Sequence, residues 1–524
     1  MKIKSMKIKN FRGYKDETKI DFDDLTVFVG KNDSGKSTIL EALDIFINDG
    51  KGTIKIDKND VNVLSRNEGD LETSITIVFS DLPEKIVIDS SVETTLENEY
   101  LLNEDGDLEI NKKFSNGSGP KVWINAYHPT SKECSDLLLK TNTNLRKIIK
   151  DNEIECENLT VNSIMRKSIW NYFKEDLHLD TIEIDASKSD AKEIWSKISA
   201  YMPVYSLFQS DRANTDSDSE VQDPLKEAVK IILSDDSIQE SLNDISKKVE
   251  KKLHEVSDRT LEKLKDLDPR IASELSPVIP SSDKLKWNEV FKSVSISGDD
   301  NIPINKRGSG VKRLILMSFF RGEAERLAEE GGSNGIIYAI EEPETSQHTN
   351  NQKKLIEAFK NMSKIPGVQI ILTTHSAYMV KQLEFENIKI INDNKSIEEK
   401  ILKVDENYLN YPSLNEVNFL AFNEISIEYH NELYGLIQAK AIDEDNKNYY
   451  EASFDGWLQG KGIEQNRTYK RLTKDGSIKN ESKTLPTLIR NVIHHPENKN
   501  NSYSSEDLRD SIERLREICK EYNF

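Results

Sequence analysis

The stretch Gly30-Lys31-Asn32-Asp33-Ser34-Gly35-Lys36-Ser37 leaves this chain few choices of fold. It fits G-x-x-x-x-G-K-[ST], follows the apolar run Leu25 to Val29 and precedes the helical pattern TILEALDIF. A buried strand must therefore turn through glycines straight into a helix, which makes this part of the chain α/β. The glycines let backbone N–H groups curl around a diphosphate at the helix N-terminus. Lys36 places a point charge on the β and γ phosphates, Ser37 offers a hydroxyl to magnesium, and Thr38 stands beside it.

A second group of residues lies some way downstream. The apolar strand Ile336 to Ile340 ends in Glu341-Glu342-Pro343-Glu344. Two adjacent carboxylates at a strand end suit a magnesium ion at the first, Glu341, and a general base for an attacking water at the second, Glu342. The next strand, Val368 to Leu372, ends in Thr373-Thr374-His375-Ser376. A histidine at the carboxyl end of a parallel strand stands where such sheets bind ligands, so His375 is the expected γ-phosphate sensor.

The chain has 524 residues, enough for about three domains of ~100 to 200 residues. Residues 2 to 29 read as a meander leading into a buried strand, 71 to 90 as two strands, 130 to 200 as a helical insertion, and 202 to 208 as a strand. A polar linker follows, then helices over 225 to 275. The strand Val290 to Ile296 resumes the sheet. The expected division is a head, first part, over 1–213; a helical arm over 214–285; a head, second part, over 286–395; and a mainly helical domain over 396–524. There NEVNFLAFNEISIEYHNELYGLIQ reads as one long helix, Asp443-Glu444-Asp445 as a polar linker, and DLRDSIERLREICKEY as a terminal helix.

With these motifs in order, GKNDSGKST, RGSGVKRL at 307 to 314, YAIEEPE and TTHS, the chain resembles the ABC-type ATPase heads of the RecF, SMC and overcoming-lysogenization-defect (OLD) group, with the double Glu before Pro-Glu closest to the OLD-like branch. The resemblance spans about residues 1 to 390. It implies an α/β ABC-type P-loop head split by helical insertions, with ATP and Mg2+ as ligands. It also implies a head-to-head homodimer in which Ser309 and Gly310 present backbone N–H groups to the γ-phosphate held by the other protomer. Gln209 resembles a metal-sensing glutamine, and Arg12 an N-terminal arginine that reaches the nucleotide. Full-length OLD nucleases carry a further metal-binding toprim domain, but no apolar strand opens into the required Glu between 390 and 524. No long coiled coil of SMC type is present either. The remaining architecture resembles stand-alone anti-phage ATPases of the Septu PtuA or PARIS AriA type, which work with a separately encoded nuclease or toxin effector.

Charge bears on partners. Lys plus Arg is 72 and Asp plus Glu 92, a net charge of −20, which repels a nucleic-acid backbone unless basic residues gather locally. They do so near the C-terminus. Residues 400 to 460 hold 4 basic and 11 acidic residues, whereas 461 to 499 hold 9 basic and 4 acidic. This leaves room for one local nucleic-acid contact and disfavours a DNA-coating repair ATPase of RecF type. Within the basic part, Arg490-Asn491-Val492-Ile493-His494-His495 resembles the R-x4-H pattern of HEPN ribonucleases, in which Arg490 would hold a phosphate and His495 move a proton. The alternative is that Arg490 and the histidines pair with acids such as Glu432 or Asp507 to staple helices, and His430 is expected to be structural. Cys134, Cys156 and Cys519 are too few and too scattered for a disulfide framework. No 18-residue apolar window occurs, so a cytoplasmic protein that does not cross a membrane is expected.

Overall fold

The computed structural model describes residues 1–209, 238–245, 247–248, 251–252 and 335–521, apart from 32–33, 51, 90–91, 188–190, 346, 392–400, 404–412, 446–449 and 474–475. Met1–Ser210 and Leu327–Phe524 form one compact unit and Asp211–Arg326 another, of which 238–245 are helical. The expected strand 290–296, most of the arm at 214–285, the residues Asn32 and Asp33, and the signature residues Ser309 and Gly310 lie outside the described residues.

In the first unit the chain alternates between two six-stranded sheets. One is antiparallel, in the order β2-β1-β4-β7-β8-β9, from Thr18–Asp21, Lys2–Lys9, Glu72–Ser80, Leu108–Ser115, Lys121–Pro129 and Leu179–Asp185. A hairpin of Ile86–Asp89 (β5) and Val92–Thr94 (β6) stands apart from it. The other has the order β10-β11-β12-β3-β13-β14, from Val204–Phe208, Ile336–Glu341, Val368–Thr374, Leu25–Val29, Ile388–Ile391 and Ile401–Lys403. Its first five strands run parallel and β14 pairs antiparallel at the edge. Every residue of β3, β11, β12 and β13 is buried, the mark of strands covered on both faces. The expected meander therefore ends at β2. The apolar run of β3 leaves it because only the second sheet buries both of its faces.

The helix after the phosphate loop, α1 (Lys36–Ile47), is apolar on nearly every side, with Ile39, Leu40, Ala42, Leu43, Ile45 and Phe46 buried. Phe79 of β4 meets Phe46 from the antiparallel sheet, and Tyr205 of β10 donates from the parallel sheet to Leu40 O at 2.6 Å. One continuous core thus includes residues of both sheets and this helix. Gln369 of β12, 2% exposed, ties the sheets together directly. Its Oε1 accepts from Ile3 N at 3.0 Å, and its Nε2 donates to Ile3 O at 2.8 Å, beside the register shift in β1.

The short α2 (Val63–Asn67) follows α1, and α3 (Asn142–Asp151), α4 (Asn162–Tyr172) and α5 (Ala191–Ser199) fill the stretch expected to be helical, with β9 threaded between α4 and α5. After β11 come α6 (Thr349–Met362) and α7 (Ala377–Val380). The C-terminal part contains α8 (Leu414–Phe422), α9 (Ile427–Asp445), α10 (Glu451–Gly460), α11 (Leu485–His494) and α12 (Ser505–Glu521). Three readings need correction here. The expected long helix breaks at Asn423, whose φ of 59° ends α8 in the left-handed conformation that asparagine tolerates. The stretch 467–483 forms a β-hairpin, β15 (Arg467–Leu472) with β16 (Ile478–Lys483), rather than helix. Asp443 to Asp445 close α9 rather than lying in a linker.

Candidate active site

The pairing register of the parallel sheet assembles the site. Phe208 lies beside Ile340, Glu341 beside Thr373, and Thr374 beside Val29. The residues that leave these strands at their carboxyl ends, Gln209, Glu341 with Glu342, His375 and Gly30, therefore fall along one edge. That edge is where parallel sheets receive ligands.

Local chemistry shapes each part. A Cβ on Gly30 would lie 2.9 Å from Ile391 O, so the loop hugs the end of β13 only with glycine there. Gly35 has φ 102°, and a Cβ on it would lie 3.2 Å from Tyr14 Oη. Lys36 Nζ donates to Gly30 O at 2.9 Å and Lys31 O at 2.7 Å, which arches the ammonium over the loop. Among the described residues no side chain caps α1 and no acid occupies its first turn, which suits an anion at this helix N-terminus. Ser37 is exposed on that turn.

Glu342 has φ 42°, a left-handed conformation uncommon for glutamate, held by its N–H donating to Thr373 O at 3.0 Å. Its Oε1 lies 3.1 Å from His375 Nδ1. The expected base and the expected sensor thus touch, and a proton on Nδ1 in this contact leaves Nε2 as the accepting nitrogen of the neutral ring. Glu344, whose side chain is 4% exposed, was not singled out as a site residue in the sequence, though its role is structural and plain. Its Oε1 accepts from Thr374 Oγ1 at 2.6 Å and from His375 N at 3.0 Å. Ser376 then caps α7 by accepting from Met379 N at 3.2 Å. Replacing Glu344 by Ala takes the acceptor from the buried Thr374 hydroxyl and the part-buried His375 N–H, so about 1–3 kcal/mol of stability should be lost in denaturant unfolding. Glu344→Gln keeps the accepting oxygen and should stay close to the unsubstituted chain. Equal losses in both would show that charge, not acceptance, matters at this position.

Magnesium suits the donors present. It favours one or two carboxylates together with phosphate oxygens and water. Glu341 is 8% exposed at the strand end, and Gln209 Oε1 is buried with no hydrogen-bond partner among the described residues. With the Ser37 hydroxyl these are the groups that would hold the ion. Arg12, expected to reach a nucleotide, lies against the helix that follows the phosphate loop. It forms ion pairs with Glu41 of α1 and, from Nε at 2.8 Å, with Asp60. Glu41 gave no signal in sequence, where one glutamate on a helix reads as a solvated charge.

In the C-terminal part Arg490 and His495 are engaged separately. The Arg490 guanidinium lies 4.9 Å over the Tyr434 ring. His495 caps the end of α11, is 53% exposed, and has Nδ1 3.2 Å from Glu497 Oε1. The proposed partners are also engaged elsewhere: Glu432 accepts from Asn415 and Asp507 pairs with Arg467. His430 is fully buried with Nε2 3.0 Å from Ser511 Oγ, and burial lowers its pKa to about 4, so it is neutral at pH 7 and joins α9 to α12.

A phosphate loop running into a buried helix, with acidic and histidine-bearing strand ends beside it, defines a P-loop ATPase head of ABC type, split by insertions. Residues 1–380 match the family described as AAA ATPase domain, and the chain belongs to that family. It is an ATPase. Among curated proteins it is similar to Endonuclease GajA of Bacillus cereus (strain HuB5-5), 23% identical over 442 residues, covering 72% of this chain and 58% of that one. The chain thus spans less than two thirds of that relative's length. Among solved structures it is similar to an SMC head bound to the C-terminal winged-helix domain of ScpA (16% identity, 77% of this chain and 98% of that one, TM-score 0.37). It is also similar to the SMC head domain from Thermotoga maritima (13% identity, 77% and 100%, TM-score 0.31). No described helix is long and apolar enough to cross a membrane.

Proposed function

We propose that this chain is the regulatory ATPase of a bacterial anti-phage system, whose nucleotide cycle controls a separately encoded nuclease or toxin. The observation that carries the catalytic part is the Glu342–His375 contact at 3.1 Å, at the strand edge that also bears the phosphate loop. In this reading Lys36 and the first turn of α1 hold the phosphates, and Glu342 takes the proton of the attacking water. His375 presents its free ring nitrogen to the γ-phosphate, and Glu344 fixes the main chain beneath it. Magnesium, when bound, would neutralise phosphate charge. A second copy of the chain would close the site with Ser309 and Gly310, and hydrolysis would reopen the pair. The Bacillus relative supports the defence setting.

The test is the mass of the full chain in solution by light scattering. ATP in magnesium should give a dimer and ADP should not; a mass that ignores nucleotide would refute the closing cycle. The ribonuclease reading gains nothing from Arg490 over a tyrosine and His495 beside Glu497. The purified chain is therefore expected to leave RNA intact with or without ATP. Metal-independent cleavage that disappears in His495→Ala would move the proposal to a built-in blade.

A further inference from the structure

A run of contacts beside the site is left unused by the reaction just described. Glu41 lies on α1, one turn beyond Ser37, with its side chain 13% exposed. Its Oε1 accepts from Gln209 Nε2 at 3.0 Å. Its Oε2 pairs with Arg12, whose Nε pairs with Asp60 Oδ1 at 2.8 Å. Arg12 is fixed through its backbone too. Its φ is 47°, its N–H donates to Asp60 O at 2.7 Å, and its carbonyl accepts from Asn62 Nδ2 at 2.5 Å. A guanidinium held on this many sides keeps the Glu41 carboxylate in one place.

The amide of a glutamine has one donating and one accepting end, so the end that is engaged decides what the other end offers. With Nε2 committed to Glu41, Gln209 Oε1 is left as a buried hard oxygen with no hydrogen-bond partner among the described residues. It belongs to the residue just past Phe208, level with Glu341. The flipped amide would set its oxygen against the Glu41 carboxylate, two acceptors facing each other, and would offer an NH2 group where a cation needs an oxygen.

We propose that Glu41 is a positioning residue that turns the Gln209 carbonyl toward the divalent cation, with Arg12 and Asp60 holding Glu41 in place. The proposal rests on reading Gln209 and Glu341 as the metal corner. It gives Arg12 the task of holding the carboxylate that turns the Gln209 amide. Such outer partners typically change metal affinity by about 10- to 100-fold.

The experiment uses the full chain and separates metal from nucleotide. Mn2+ binding is read by paramagnetic resonance with a non-hydrolysable ATP analogue present, and analogue affinity is read separately in EDTA, which also reports whether each variant is folded. Glu41→Ala should weaken Mn2+ about tenfold or more. Glu41→Gln keeps a carbonyl for Nε2 and should lose far less. Neither should alter affinity in EDTA. Gln209→Ala should match Glu41→Ala, and the double variant should be no worse than either, because both remove the same oxygen from the ion. Additive losses, or unchanged Mn2+ binding in Glu41→Ala, overturn the proposal. Unchanged Mn2+ binding in Gln209→Ala would instead remove the metal corner on which it stands.

Discussion

Glu342→Gln should bind ATP as tightly as the unsubstituted chain and hydrolyse it about 10²- to 10⁴-fold more slowly, the range that a positioned general base contributes. Glutamine preserves the length of the side chain and an oxygen opposite His375 Nδ1, now 3.1 Å from a carboxylate oxygen, but it cannot take a proton from water. The loss corresponds to about 3–5 kcal/mol of barrier. Single-turnover phosphate release, with ATP binding measured in parallel, reads both halves of the claim. Hydrolysis at the unsubstituted rate would mean that Glu342 is not the base. A loss of binding of the same size would mean that its left-handed backbone shapes the phosphate loop rather than the chemistry.

The second large effect concerns stability, in the region between the antiparallel sheet and its helices. Arg166 of α4 and Glu99 are each 1% exposed, with Nε and Oε2 2.7 Å apart, and Glu99 also accepts from Thr94 Oγ1 at 3.1 Å. Removing one partner strands the other as a buried charge, which costs about 3–5 kcal/mol. Arg166→Ala is therefore expected to lower the urea midpoint substantially. Arg166→Leu combined with Glu99→Leu should recover most of the loss, since no charge is then left unpaired. If the double variant is as unstable as the single one, the pair contributes through packing and the electrostatic account is wrong.

The legible parts of this protein are those in which local order carries the constraint. A glycine loop between an apolar strand and a helix can be read directly, because each role belongs to a fixed place in a short run. Glu341, Glu342 and His375 were legible for the same reason, as residues that end apolar strands. Glu344 and Glu41 were not. Each is one carboxylate among 92 acidic residues, and its meaning comes only from what lies across from it: a strand end 31 residues on for Glu344, and an amide 168 residues on for Glu41.

The C-terminal part marks the same limit from the other side. The Arg490 to His495 spacing suggested one site, but the helix ends at His494, so the histidine leaves with the turn and finds Glu497 while the arginine lies on Tyr434. The sequence alone determined that a phosphate loop exists, which strands feed it, and which charges lie at their ends, because strand, glycine turn and helix are short-range consequences of residue type. Tertiary structure decided that β3 joins the second sheet rather than the first, that Glu342 touches His375, and that Arg12 pairs with Glu41 and Asp60. Those outcomes depend on sheet register and on the pairing of buried charges, both of which are set by residues far apart in the chain.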